Sequence, residues 1–405
     1  VTGRAQPYSI MAASRSSLLG LIRRWRTQYA INTLNARSLS SDSSVGTQEV
    51  SDDELVYVKR DNNDLRSRIF ALRLPKRSAI NSIQKWVAEG NAVSASELRL
   101  ISKELRKCGR YKHALEIIEW LVTDDKFELL DSDHASRIEL MAKVFGIDSA
   151  ERYFEGLPLT AKNCETYAAL LHCYAAKKQV ERAEEFYQRI KQSNMPYNAL
   201  VFNEMMTLYM SVDRPEKVAS IINDLRRLMV APDLFTYNLW ISSNAAMLEI
   251  GNVKEILEEM RKDTSCNDDW LRYINTVNAY IAVGHLQDAE SQSLADVEKS
   301  VAVRQSICYD FVVMLHVGLG SSGKIDEVWD SLKKTNRRMT SRNYVCITCS
   351  YLMVGNMKRV GEIIEEWREC ASAEFDSTAC LRIVDALRNA GLDDVADNFC
   401  EICVC

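Results

Sequence analysis

Proline and glycine are scarce, at six and 15 residues in a chain of 405. That excludes a turn-rich β protein and favours long helices. No run of about 18 or more apolar residues occurs, so no membrane span is expected. Histidine is rarer still. The five residues His113, His134, His172, His285 and His316 show no ligand spacing such as H-E-x-x-H. The G-x-x-x-x-G-K-[ST] phosphate loop and the H-x-E…P-C-x-x-C deaminase signature are both missing. Gly318, Gly320 and Gly323 have the bare G-x-G-x-x-G spacing, but no strand precedes them, so the dinucleotide reading fails its context test. With no catalytic constellation left, the chain is expected to be a non-enzyme without cofactor, metal or small-molecule substrate.

Acid is missing from one stretch only. Residues 1–41 hold six arginines (Arg4, Arg15, Arg23, Arg24, Arg26, Arg37) and no Asp or Glu, so a net charge of −5 for the whole becomes −11 for the remainder. An acidic body has no general attraction for polyphosphate, and nucleic-acid binding would need a local basic surface. The arginine- and serine-rich start has the composition of an organellar transit peptide. Leu18, Ile22, Trp25 and Tyr29 fall at helical spacing on its apolar side. We read 1–41 as a mitochondrial import segment, with the chloroplast as the alternative, and 42–68 as a polar linker.

Cysteine is present, at twelve residues, but scattered through helical patterns, as expected for small apolar residues in a reducing compartment. Cys346 and Cys349 have metal or redox spacing on one helix. They are read as packing residues, and Cys400, Cys403 and Cys405 as a helix end.

What is abundant is periodicity. Tyr167, Phe202, Tyr237, Tyr273, Tyr309 and Tyr344 recur at 35, 35, 36, 36 and 35 residues. A second ladder runs through Ala114, Ala150, Ala183, Val218, Val253, Ala289, Ile325, Val360 and Ala396, with steps of 33 to 36. Each aromatic from Tyr167 to Tyr344 lies 16 residues before its aliphatic partner. A fixed period of this size marks a solenoid. Each unit parses as two helices. In 164–198, Tyr167, Leu170, Leu171 and Tyr174 share one face, a turn follows at Lys177–Gln179, and Ala183, Phe186, Tyr187 and Ile190 form a second stripe. Gly109, Gly284, Gly355 and Gly391 mark the turn in other units, where a helix C-terminus calls for positive φ. The small residue lets the second helix approach the first. The aromatic is expected to pack into the neighbouring unit, since no unit buries its stripe alone.

The residues Thr236-Tyr237-Asn238 after Pro232-Asp233, together with Val201-Phe202-Asn203, resemble the pentatricopeptide repeat. The match covers 95 to about 405, some nine units; 164–198, 199–233 and 234–269 fit best. Residues 83–120 are similar to the N-terminal region of plant mitochondrial members of the P class. The resemblance implies an all-α fold, a right-handed α-solenoid superhelix of about nine helix-turn-helix repeats at 95–405, behind an N-terminal helical cap at 69–94.

The same resemblance implies a role. The family reads single-stranded RNA at about one base per repeat, through the fifth and last residues of a unit. Asn203 with Asp233, and Asn238 with Asp269, fit that pattern and in the family prefer uracil. An amide offers donor and acceptor to a base edge. The bland alternative is that both asparagines lie on a solvated helix face. Ala168, Ile274 and Val345 put apolar residues at the fifth position, and Asp310 an acid. The tryptophans Trp120, Trp240, Trp270, Trp329 and Trp367 are expected in the core. The basic clusters Arg226-Arg227, Lys333-Lys334 and Arg337-Arg338 are read as solvated helix ends. The expected partner is single-stranded organellar RNA in transcript stabilisation, processing or translation. The alternative is a structural subunit of the mitochondrial ribosome, touching ribosomal RNA and protein.

Overall fold

The structure, a computed structural model, describes residues 64–404 apart from 73–77, 124–125, 194–196, 265–267, 285, 287–296, 320–321, 334–338 and 371–372. The expected import segment, most of the expected linker, Pro196, Ala289, Lys334, Arg337, Arg338 and Cys405 lie outside the described residues. Among the described residues every regular element is helical, and none is long and apolar enough to cross a membrane. They fall into two compact units, with described parts 64–208 and 209–404.

In the first unit, α1 (Leu65–Phe70) and α2 (Ala79–Ala88) cap a series of helical pairs. The pairs are α3 (Ala95–Lys107) with α4 (Tyr111–Thr123), α5 (Asp131–Val144) with α6 (Ile147–Glu155), and α7 (Cys164–Lys177) with α8 (Val180–Gln192). Leu65, Ile69, Ala79 and Ile83 of the cap join Leu98, Ile101, Ala114 and Ile118 in one core. Arg110 ties the cap down: its guanidinium donates to the carbonyls of Ile69, Phe70 and Leu72 at 3.2, 2.9 and 2.8 Å. These carbonyls lie at the end of α1, where acceptors run short of intrahelical donors and a cation also suits the helix dipole. α9 (Ala199–Ser211) carries the chain across the division.

The second unit continues with α10 (Val218–Arg227), α11 (Leu234–Ala246), α12 (Ile250–Lys262), α13 (Asp268–Ala282), α14 (Val297–Gly318), α15 (Ser322–Lys333), α16 (Ser341–Met353), α17 (Met357–Glu369), α18 (Ser377–Asn389) and α19 (Asp393–Val404). Among the described residues eight first helices thus begin close to the expected register: α3, α5, α7, α9, α11, α13, α16 and α18. The departure is α14, which starts early enough to span 22 residues.

Both ladders are interior. Ala114, Ala150, Ala183, Val218, Val253, Ile325, Val360 and Ala396 are all fully buried. Phe202, Tyr237, Tyr273, Tyr309 and Tyr344 are buried, and Tyr167 is half-buried. The aromatics bridge units as expected. Tyr167 meets Phe154 of the preceding pair edge-on at 4.9 Å, and Tyr344 meets Trp329 at 5.4 Å.

The turns keep one backbone conformation whether or not glycine is present. Gly109, Gly284, Gly355 and Gly391 have φ of 72–85°, and Lys178, Asp213 and Leu248 hold the same left-handed turn at 56–62°. Three units therefore carry a conformation that costs a non-glycine residue roughly 1–2 kcal/mol. Helix starts are set by short polar caps. Asn163 accepts from the amides of Glu165 and Thr166, and Asp376 from that of Ala379 at 2.9 Å.

Candidate nucleic-acid interface

The four residues of the expected reading pairs occupy two kinds of place. Asp233 and Asp269 are at helix starts. Asp233 is the N-cap of α11: its carboxylate accepts from the Thr236 amide at 2.7 Å, and Thr236 Oγ1 accepts in return from the Asp233 amide at 3.2 Å. Asn198, one unit earlier, accepts from the Leu200 amide at 3.1 Å in the same manner. The last residue of a unit thus has a local structural duty. Asp269 lies in the first turn of α13, partly exposed, 3.4 Å from Arg272.

Asn203 on α9 and Asn238 on α11 are interior, with 2% and 3% exposure. The solvated-face alternative is therefore corrected. Asn238 Oδ1 accepts a hydrogen bond from Tyr273 Oη at 2.8 Å, joining α11 to α13. Burial pushes the Tyr273 hydroxyl well above its ordinary range, so it is protonated and donates at neutral pH. The rest of the fifth-position row is interior too: Ala168, Ile274, Asp310 and Val345 are buried.

The cause is the composition of the first helices. Over ALVFNEMMTLYMS and LFTYNLWISSNAA apolar residues fall on all sides, and such a helix must be covered all round. In the second unit the cover comes from other first helices. α11 packs against α14, and α13 packs against α14, α16 and α18. Asp310 of α14 lies at the middle of this layer and accepts from Tyr280 Oη of α13 at 2.5 Å. Burial raises its carboxyl to about 7, opposed by Arg342. Cys346 and Cys349 are buried on α16, and burial pushes the Cys349 thiol up to about 12 and that of Cys346 well above its normal range. Thiols held protonated are poor ligands and nucleophiles, so packing accounts for both.

The outer faces show what sequence reasoning missed. Arg226 pairs with Glu259 at 2.6 Å, Arg189 with Glu155 at 2.6 Å, Arg359 with Asp326 at 2.8 Å and Lys333 with Glu366 at 3.4 Å. The partners are 33 or 34 residues apart, one unit along. Arg227 pairs with Asp224 at 2.6 Å. Arg226, Arg227 and Lys333 are thus tied to carboxylates, most of them on the next unit, and are not simple solvated ends. The signal was available as acids and bases recurring one period apart. Trp329 and Trp367 are core residues and Trp270 is nearly so. Trp120 and Trp240 are half-buried, Trp240 beneath the Arg226 guanidinium at 4.7 Å.

Two family models match the chain: "Pentatricopeptide repeat domain" over residues 161–212 and "PPR repeat" over 235–264. A mitochondrial pentatricopeptide repeat-containing protein of Arabidopsis thaliana is 49% identical over 365 residues, covering 90% of this chain and 88% of that protein. A second mitochondrial member from the same plant is 29% identical over 341 residues, covering 84% and 69%. Among solved structures, the pentatricopeptide repeat protein PPR10 in complex with an 18-nt psaJ RNA element is 14% identical, with a TM-score of 0.33, covering 83% of this chain and 54% of its own. A superposition that loose supports nothing about the present chain.

Proposed function

Because this chain belongs to the pentatricopeptide repeat family, we propose that it is a non-catalytic RNA-binding protein acting in mitochondrial RNA metabolism, on the stability, processing or translation of organellar transcripts. Its relatives at 49% and 29% identity are mitochondrial proteins, and the mitochondrion is where it works. The arginine-rich residues 1–41 are its import signal, 42–68 a linker, 69–94 a cap and 95–405 the repeat array.

The observation that carries the reading is the run of two adjacent units with paired polar residues, Asn203 with Asp233 and Asn238 with Asp269, inside a phased repeat. Reading a base with them requires the inner faces of the first helices to become accessible. Changing Asn203 and Asn238 to Ala should weaken binding to a uridine-containing single strand by roughly 1–3 kcal/mol per lost contact. Tyr273→Phe is the control: it removes the same interhelical hydrogen bond and spares the amide. A dissociation constant unchanged by the asparagine changes, in protein that still melts cooperatively, would remove both residues from recognition.

A second reading, a structural subunit of the mitochondrial ribosome, is favoured by the interior placement of the fifth-position row and by the carboxylate partners of the outer arginines. Such a subunit would stay with a ribosomal subunit through a high-salt wash, whereas a transcript adaptor would be released.

A further inference from the structure

In a stacked array each repeat touches its neighbours only. The unit from Tyr209 onward departs from that rule. α11, from the fifth pair, packs on α14 of the seventh, and α13, from the sixth, packs on α16 of the eighth and α18 of the ninth. One contact closes the layer from its rim. The Arg382 guanidinium on α18 donates to the carbonyl of Val283, just past the end of α13 and 99 residues away in sequence. A guanidinium is well placed at a helix C-terminus, where the carbonyls lack intrahelical partners.

The layer so closed is oddly polar for a dry interior. Asn238, Ser242, Thr276, Asp310 and Thr348 are buried in it. Asn238 and Asp310 are each held by a tyrosine hydroxyl of α13. The hydroxyls of Ser242 and Thr348 are enclosed without any hydrogen-bond partner. Each such group is less stable there than in water. The burial of apolar residues favours closure and the stranded polar atoms favour opening. A surface balanced in this way is suited to two states.

We propose that the second unit is latched shut in the RNA-free protein, with Arg382–Val283, which joins the sixth pair to the ninth, as the latch and Tyr280–Asp310, between the neighbouring sixth and seventh pairs, as its support, and that a single-stranded RNA binds by opening it. The inference rests on the RNA-binding reading above. Opening exposes Asn238, Ser242 and Thr348 to the strand and gives the stranded hydroxyls new partners. The tyrosine and arginine are positioning residues of the closed state, and neither needs to touch RNA.

The test combines Tyr280→Phe with Arg382→Ala. Phenylalanine keeps the ring packing and loses only the donor. Solution scattering of the full chain reads the radius of gyration, and titration with an oligouridylate reads affinity. The latch predicts a larger radius than wild type without RNA, tenfold or greater gain in affinity, and expansion of the wild type on adding the oligonucleotide. A folded variant as compact as wild type overturns the latch. A variant that expands and binds no RNA upholds the latch and sinks the RNA-binding reading. Should the double variant melt, Arg382→Ala alone replaces it, because that side chain sits at the half-exposed rim and its loss leaves the core filled; a compact Arg382→Ala protein that binds no better than wild type counts against the proposal.

Discussion

Asp310 is a carboxyl held far from its ordinary state. Three groups on two other helices face it: Tyr280 on α13, and Arg342 and Cys346 on α16. Burial outweighs the arginine, so the folded carboxyl titrates at about 7, against 3.8 for an unperturbed one. The folded state therefore holds a proton that the unfolded state has released. Stability falls as pH rises from about 4 to about 7 and levels off above, by an amount on the order of a few kcal/mol. Asp310→Asn still accepts from Tyr280 and cannot titrate. Its stability relative to wild type should rise across that window in denaturant melts, and a difference constant with pH would show that Asp310 does not ionise there. At this scale the ladders were fully legible, since every described small ladder residue is buried. The interior placement of Asn203 and Asn238 was not. Spacing along one helix gives its period but not what covers each side. The warning lay in their neighbours: Val201, Met205, Met206 and Leu208 surround Asn203, leaving little of the helix fit for water.

Among the elements, α13 and α14 approach closely at Gly318. A Cβ at Gly318 would stand 3.0 Å from Tyr273 Cβ and 3.1 Å from the Asp269 carbonyl. Both neighbours are fixed to backbone, so Gly318→Ala must push the helices apart. A cost of about 1–3 kcal/mol is expected from overpacking, read as a lowered melting midpoint. No loss of stability would mean that the helices are free to separate. The sequence placed this glycine in a failed dinucleotide motif, and only the three-dimensional crossing gives it a role. Helix pairs and their turns were readable in advance because the repeat supplies nine versions of one pattern. The contacts of α11 with α14 and of α13 with α18 were not, since a period describes neighbours alone. The one-unit ion pairs follow the period and could have been found from it. Being largely exposed, each contributes only about 0.2–1 kcal/mol, so their meaning is charge neutralisation more than stability.

For the molecule as a whole, two features pull against each other. The repeat and the mitochondrial relatives point to an RNA partner in mitochondria. The enclosed first helices and paired outer arginines leave that partner few places to bind in the closed form. The proposed latch in the second unit reconciles them, because Asn238 and the polar layer around it then become available only with RNA. The most direct check is crosslinking of the tagged protein in isolated mitochondria, followed by sequencing of the attached RNA. The account predicts a sharp footprint on one or a few transcripts, with adjacent uridines at its centre. Recovery of no RNA, or of one region of ribosomal RNA alone, would contradict it, the latter in favour of a ribosomal subunit.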